Sequence, residues 1–117
     1  MTPNQFRRIA LGMQGAIEGQ HMGHPDFRAA NGRIFATLAP DAKWGCLVKL
    51  TPDRQGSLIA DDPETFVPAK GAWGRAGSTM VRLSSADSET VGEAMTLAWQ
   101  AVMRAQPAAK KKPAAKP

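Results

Sequence analysis

The sequence predicts an α+β domain in which an antiparallel sheet packs its helices on one face. Three observations predict it. A capped amphipathic segment opens the chain, short alternating runs broken by Gly and Pro fill its middle, and an unbroken helical stripe closes it. With 117 residues and 43% hydrophobic content, the chain suits a single domain with a core of its own.

The first helix starts at a capping box. Thr2 caps it, Gln5 completes the box, and Pro3 sits in the first turn, where its missing N–H is not needed. Phe6, Ile9, Ala10 and Met13 share one face, and Gly12 and Gly15 end the helix. From Ala16 to Leu50 the pattern is β-like. Arg33 to Leu38 alternates Ile34, Ala36 and Leu38 with Arg33, Phe35 and Thr37. Trp44 to Leu50 alternates Trp44, Cys46, Val48 and Leu50 with Gly45, Leu47 and Lys49, and residues 39–43 form the hairpin loop between the two runs.

Thr51-Pro52-Asp53 opens a shorter helix with Leu58 and Ile59 facing inward, and Asp62-Pro63 closes it. Gly71, Gly74 and Gly77 then mark a loop around Trp73 and Arg75, and Ser78 to Leu83 is a further strand. The last helix runs from about Asp87 to Arg104. Val91, Ala94, Met95, Ala98, Trp99 and Val102 form its apolar stripe, with Glu89, Glu93, Thr96 and Gln100 opposite. If Ile34, Leu38, Val48, Leu50, Val81 and Leu83 point to the helices, alternation leaves Arg33, Phe35, Leu47, Lys49, Met80 and Arg82 on the open face. A one-residue slip would exchange the two faces.

The expected domain spans 1–104, followed by an Ala/Lys/Pro tail over 105–117. The tail has no large apolar residue and is expected to be disordered. It also holds most of the net charge of +5. Lys110, Lys111, Lys112 and Lys116 stand there without an acid, whereas the body has 11 basic and 10 acidic residues. Within the body the charge is uneven. Arg28, Arg33, Lys43, Lys49 and Arg54 outnumber Asp41 and Asp53, and Lys70, Arg75 and Arg82 lie in a stretch with no acid. The acids gather at Asp61, Asp62 and Glu64 and on the last helix. The sheet and its loops are therefore the expected anion-facing surface.

Several segments occur together in a familiar order. They are Gly23-His24-Pro25-Asp26-Phe27-Arg28, Gly32-Arg33-Ile34-Phe35-Ala36-Thr37-Leu38, Val48-Lys49-Leu50-Thr51-Pro52, Gly71-Ala72-Trp73-Gly74-Arg75 and Gly77-x-Thr79. The ordered set resembles the MmcQ/YjbR family of small bacterial proteins over residues 2–104. That resemblance implies a CyaY-like (frataxin-like) sandwich and DNA binding through a "double wing" surface. The chain departs from the family pattern at Ser78 and Met22, where aromatic residues are usual, which bears on any contact that needs those rings.

Other chemistries find little support. Cys46 is the single cysteine, so no disulfide forms within the chain. His21, His24 and Asp26 do not complete a metal site, and the first helix lacks the acidic ridge that iron delivery would need. The Gly71, Gly74, Gly77 spacing is neither a phosphate-binding loop nor a dinucleotide fingerprint, and no nucleophile has its partners in place. No catalytic residue, metal or cofactor is expected. No targeting signal or membrane span is visible, so a soluble cytoplasmic protein is expected.

The expected function is non-enzymatic DNA binding with low sequence specificity. Arg33, Lys49 and Arg82 on the sheet, Arg28, Lys43, Lys70 and Arg75 in loops, and Lys110, Lys111, Lys112 and Lys116 in the tail would meet phosphates, with Trp73 packing on sugar or base. The alternative is a module for a protein partner or a small ligand. It would use His24, Asp26, Phe27, Trp73 and Arg75 on two loops that the fold would bring together.

Overall fold

The computed structural model describes residues 1–104 except 22, 40, 42 and 49. Lys49 and the basic tail at 105–117 therefore lie outside the described residues.

Helix α1 (Pro3–Leu11) starts as its capping box requires. Thr2 Oγ1 accepts from the Gln5 N–H at 3.1 Å, and Gln5 Oε1 accepts from the Thr2 N–H at 2.8 Å. Four strands follow: β1 (Ile17–His21), β2 (His24–Arg28), β3 (Ile34–Leu38) and β4 (Trp44–Leu47). Thr51 caps α2 (Pro52–Asp61), accepting from the Arg54 N–H at 3.2 Å. Leu58 and Ile59 are half-buried against the core, and no residue of α2 is fully buried. β5 (Phe66–Pro68), a short helix α3 (Gly71–Arg75) and β6 (Thr79–Arg82) come next. α3 replaces the expected glycine-rich loop. A 3-10 turn at Leu83–Ser85 leads into α4 (Ser88–Arg104). Asp87 caps that helix, its carboxylate accepting from the Thr90 N–H and hydroxyl at 2.8 and 2.9 Å. Those two bonds hold the Asp87 carboxyl below its usual pKa.

All neighbouring strands are antiparallel, in the order β1-β2-β3-β4-β6-β5. The first four strands follow chain order. The chain then passes through α2 to the far edge as β5, and β6 returns between β4 and β5. Phe6 and Ala10 of α1, with Val91, Ala94, Met95, Ala98 and Val102 of α4, share the core with the sheet. Phe6 meets Phe27 of β2 as a tilted ring pair with centroids 6.3 Å apart. Burying each such side chain stabilises the fold by roughly 1.5–3 kcal/mol.

Two expectations about sheet facing are corrected here. Leu47 and Phe35, expected on the open face, are both fully buried. In β4 the phase is slipped by one residue. Gly45 faces the helices because a Cβ there would lie 2.6 Å from Phe6 Cε1, so only glycine leaves room for the ring. Leu47 follows Gly45 onto that face, while Trp44 and Cys46 take the other. At Phe35 the cause is a bulge. Phe27 pairs with Ala36 but Arg28 pairs with Ile34, so Phe35 has no partner in the ladder and turns inward beside Ala36. Leu38, Val81, Leu83 and Leu50 are buried as expected, whereas Ile34 and Val48 are only half-buried.

Candidate functional site

The open face is built by β4 and β6. Their register pairs Trp44 with Arg82, Gly45 with Val81, Cys46 with Met80 and Leu47 with Thr79. Leu47, Thr79 and Val81 are buried, and Gly45 with them faces the helices, so Trp44, Cys46, Met80 and Arg82 stand on the face away from those helices. β5 extends this face by setting Val67 opposite Met80.

Arg82 stacks on Trp44, its guanidinium carbon 4.5 Å from the ring centroid. Its Nε–H donates to the Glu64 carbonyl at 3.0 Å, which fixes the guanidinium over the indole. Three hollows follow the two strands. One of about 350 Å³ lies at the Lys43 end, lined by Lys43, Trp44, Arg82 and Ser84 among others. The next, about 440 Å³, is floored by Trp44, Val67, Pro68 and Met80 with Lys70 at its side. The last, about 320 Å³, lies against α3 and is lined by Val48, Ala72, Trp73, Ala76 and Ser78.

α3 presents Trp73 to solvent with 69% of its surface exposed. Gln55 of α2 holds this helix to the sheet, its Nε2 donating to the carbonyls of Gly74 and Ser78 at 3.0 and 2.9 Å. The Ser78 N–H donates back to the Trp73 carbonyl at 3.0 Å. Lys43, Lys70 and Arg82 are exposed and line the hollows of this face, and Arg75 is exposed on the adjoining α3. Among the described residues none of these four cations makes an ion pair. The acids at the margin are Asp41, whose carboxylate accepts from the Lys43 N–H, and Glu64.

Cys46 lies within this face beneath the exposed residues. Burial pushes its thiol up to about 11, partly offset by a hydrogen bond from the Thr79 backbone. A thiol so raised holds roughly 100-fold less thiolate near pH 8 than an ordinary one. Alkylation by iodoacetamide at pH 8 is therefore expected to run about 100-fold slower in the native protein than in urea. Equal rates in both would disprove it. The folded state holds this proton more tightly than the unfolded chain. Stability is then unaffected below about pH 9 and falls as pH rises toward 11.

The other expected site residues are placed differently. Arg28 donates from Nε and Nη2 to the two carboxylate oxygens of Asp26 at 2.8 and 3.1 Å. Asp26 is fully buried, and its hydrogen bonds and charge raise the Arg28 pKa. Arg28 is thus engaged in holding a buried acid, although its side chain stays partly open to solvent. Arg33 precedes β3 rather than standing on it, its N–H bonded to Asn31 Oδ1 at 3.1 Å. The proposed grouping of His24, Asp26, Phe27, Trp73 and Arg75 does not assemble. Phe27 is in the core, and β3 and β4 separate β2 from β6, where α3 docks. His24 also begins β2 at the Trp44–Arg82 end of the sheet, opposite α3. Three strand spacings alone amount to ~14 Å.

Lys43, Lys70, Trp73, Arg75 and Arg82, singled out from the sequence, are all exposed, whereas Trp44 was not singled out as a surface group. Gly45 was the signal that would have found it, since a glycine inside a strand often marks the close approach of another group.

The YjbR family model matches residues 11–101. The chain belongs to the YjbR family. The crystal structure of Deinococcus radiodurans protein DR2400, assigned to DUF419, matches with a TM-score of 0.73. The match covers 88% of this chain and 79% of that chain at 18% identity, a likeness of fold. No curated protein matches the chain. Among the described residues of this YjbR protein, no three His, Cys, Asp or Glu side chains gather into a metal site. Among the described residues no helix is long and apolar enough to cross a membrane.

Proposed function

We propose that this YjbR protein is a cytoplasmic, non-enzymatic binder of nucleic acid, and that the β4–β6 face is its binding surface. The observation that carries this reading is the surround of Lys43, Lys70, Arg75 and Arg82, unpaired among the described residues, on a face with two tryptophans. Cations not engaged with protein acids are available to displace counterions from phosphates, and aromatic surface between them suits sugar and base. The opposite layer supports the same assignment, because α4 turns Glu89 and Glu93 to solvent and would repel phosphate.

The test is the anisotropy of a labelled mixed-sequence oligonucleotide, in duplex and single-stranded forms, titrated with full-length chain. Two variants separate the face from the tail: K43Q/K70Q/R75Q/R82Q and K110Q/K111Q/K112Q/K116Q. If the four face cations each meet a phosphate, affinity for duplex falls roughly 100-fold between 50 and 200 mM salt in the tail variant. The face variant is expected to lose most of that affinity and of its salt slope. Binding that survives in the face variant and vanishes in the tail variant would refute the reading.

A further inference from the structure

We infer that the nucleic acid taken by this face is an unpaired strand rather than a duplex. The inference rests on the nucleic-acid reading above and adds the form of the ligand.

The first observation is Trp73. An indole 69% exposed is a large apolar surface left to water, and the backbone that carries it is anchored. The Gln55 amide ties the helix that carries it to the end of β6, and the Ser78 N–H binds the Trp73 carbonyl. A ring on an anchored backbone offers a stacking platform with little freedom left to lose. The second observation is the Trp44–Arg82 pair at the other end of β4, where a guanidinium already lies on an indole. Aromatic rings and arginine planes are the two surfaces on which unpaired bases stack. The third is the floor between these platforms, which Val67, Pro68 and Met80 make apolar.

A duplex has no use for such a floor. Its base faces are hidden in its own stack, and it offers only phosphates and groove edges. Proteins that read those edges insert a basic helix or ribbon. Here the long helix α4 lies behind the sheet with Glu89 and Glu93 outward, and α3 is a helix of five residues carrying an indole. An unpaired strand uses everything on the face. Its bases lie on Trp73 and on the Trp44–Arg82 pair, and its phosphates meet Lys43, Lys70 and Arg75. Unpaired DNA and RNA share this chemistry.

The experiment uses the full chain with K110Q/K111Q/K112Q/K116Q, so that the tail adds no charge, and four 12-nucleotide probes. These are single-stranded DNA, the same sequence in RNA, its DNA duplex, and an abasic strand that keeps the phosphates but has no bases. Anisotropy and quenching of intrinsic tryptophan emission are read together. The single strands are expected to bind about ten-fold or more tightly than the duplex or the abasic strand. Trp73→Ala is expected to weaken single-strand binding by about 5- to 150-fold and to leave the abasic strand unchanged, while Trp73→Phe keeps most of the affinity. Equal DNA and RNA affinities, or a preference for either, all support an unpaired strand. A duplex bound as tightly as the single strand, an abasic strand bound as tightly, or an inert Trp73→Ala each overturns the inference while the broader reading stands. If no probe binds, abasic strand included, the broader reading falls first.

Discussion

Replacing Gly77 by alanine is expected to lower the unfolding free energy by about 3 kcal/mol or more. Gly77 adopts φ +117°, a region that side chains rarely enter, and it passes directly against the segment between β4 and α2. A Cβ at this position would stand 1.5 Å from the Leu50 carbonyl oxygen. The obstacle is backbone, so no rotamer change relieves it. Either β6 or the Leu50–Thr51 connection must move, and both support the open face. The control is Gly71→Ala, where φ is +66° but nothing lies within 4 Å of the new Cβ. That change carries only the left-handed strain of roughly 1–2 kcal/mol. For a domain whose whole stability is ~5–15 kcal/mol, the contrast is large. Urea denaturation of the two variants measures it. A Gly77→Ala variant no less stable than Gly71→Ala would show that the contact with Leu50 is absent.

The parts of the fold legible in the sequence are those decided by neighbours along the chain. The Thr2–Gln5 box and the Asp87-capped stripe of α4 depend on spacings of three and four residues, and both lie where those spacings place them. The β3–β4 hairpin was similarly accessible from alternation and breakers. α3 was not, for a physical reason. Five residues with two glycines fall below the length at which a helix holds itself, and bonds from outside it, the Gln55 amide of α2 and the Ser78 N–H, secure this one.

The candidate site divides along the same line. Lys43, Lys70, Arg75 and Arg82 emerged from a local excess of positive charge, and charge is read without knowing the fold. That Arg28 is paired with an acid depends on Asp26 being buried beside it. The separation of His24 from Trp73 follows from β6 returning next to β4, a choice between edges that no local pattern encodes. Trp44 was hidden by a phase ambiguity. Both phases of Trp44 to Leu47 place an apolar residue inside, so hydrophobicity alone does not choose between them.

The contact that does choose, Gly45 against Phe6, makes the second large prediction. Phe6→Ala is expected to cost about 3–5 kcal/mol, because the ring is fully buried between α1, β2 and β4. Gly45→Ala in the parent chain is expected to cost about 1–3 kcal/mol, since its Cβ would sit 2.6 and 2.7 Å from Phe6 Cε1 and Cζ and force the ring away from Phe27. The two losses are not independent. With Phe6 already alanine, the new methyl enters the space the ring has left, so Gly45→Ala becomes neutral or stabilising there. The double-mutant cycle is thus expected to show a coupling of about 1 kcal/mol or more, favouring the double variant over the sum of its parts. Additive losses within about 0.5 kcal/mol would mean that Phe6 does not rest on Gly45. The consequence reaches the open face, because the ring that holds Gly45 inward also turns Trp44 outward to meet Arg82. Without that packing the stack at the head of the groove would have no fixed position. The stability cycle therefore tests the placement of the proposed binding surface without requiring any ligand.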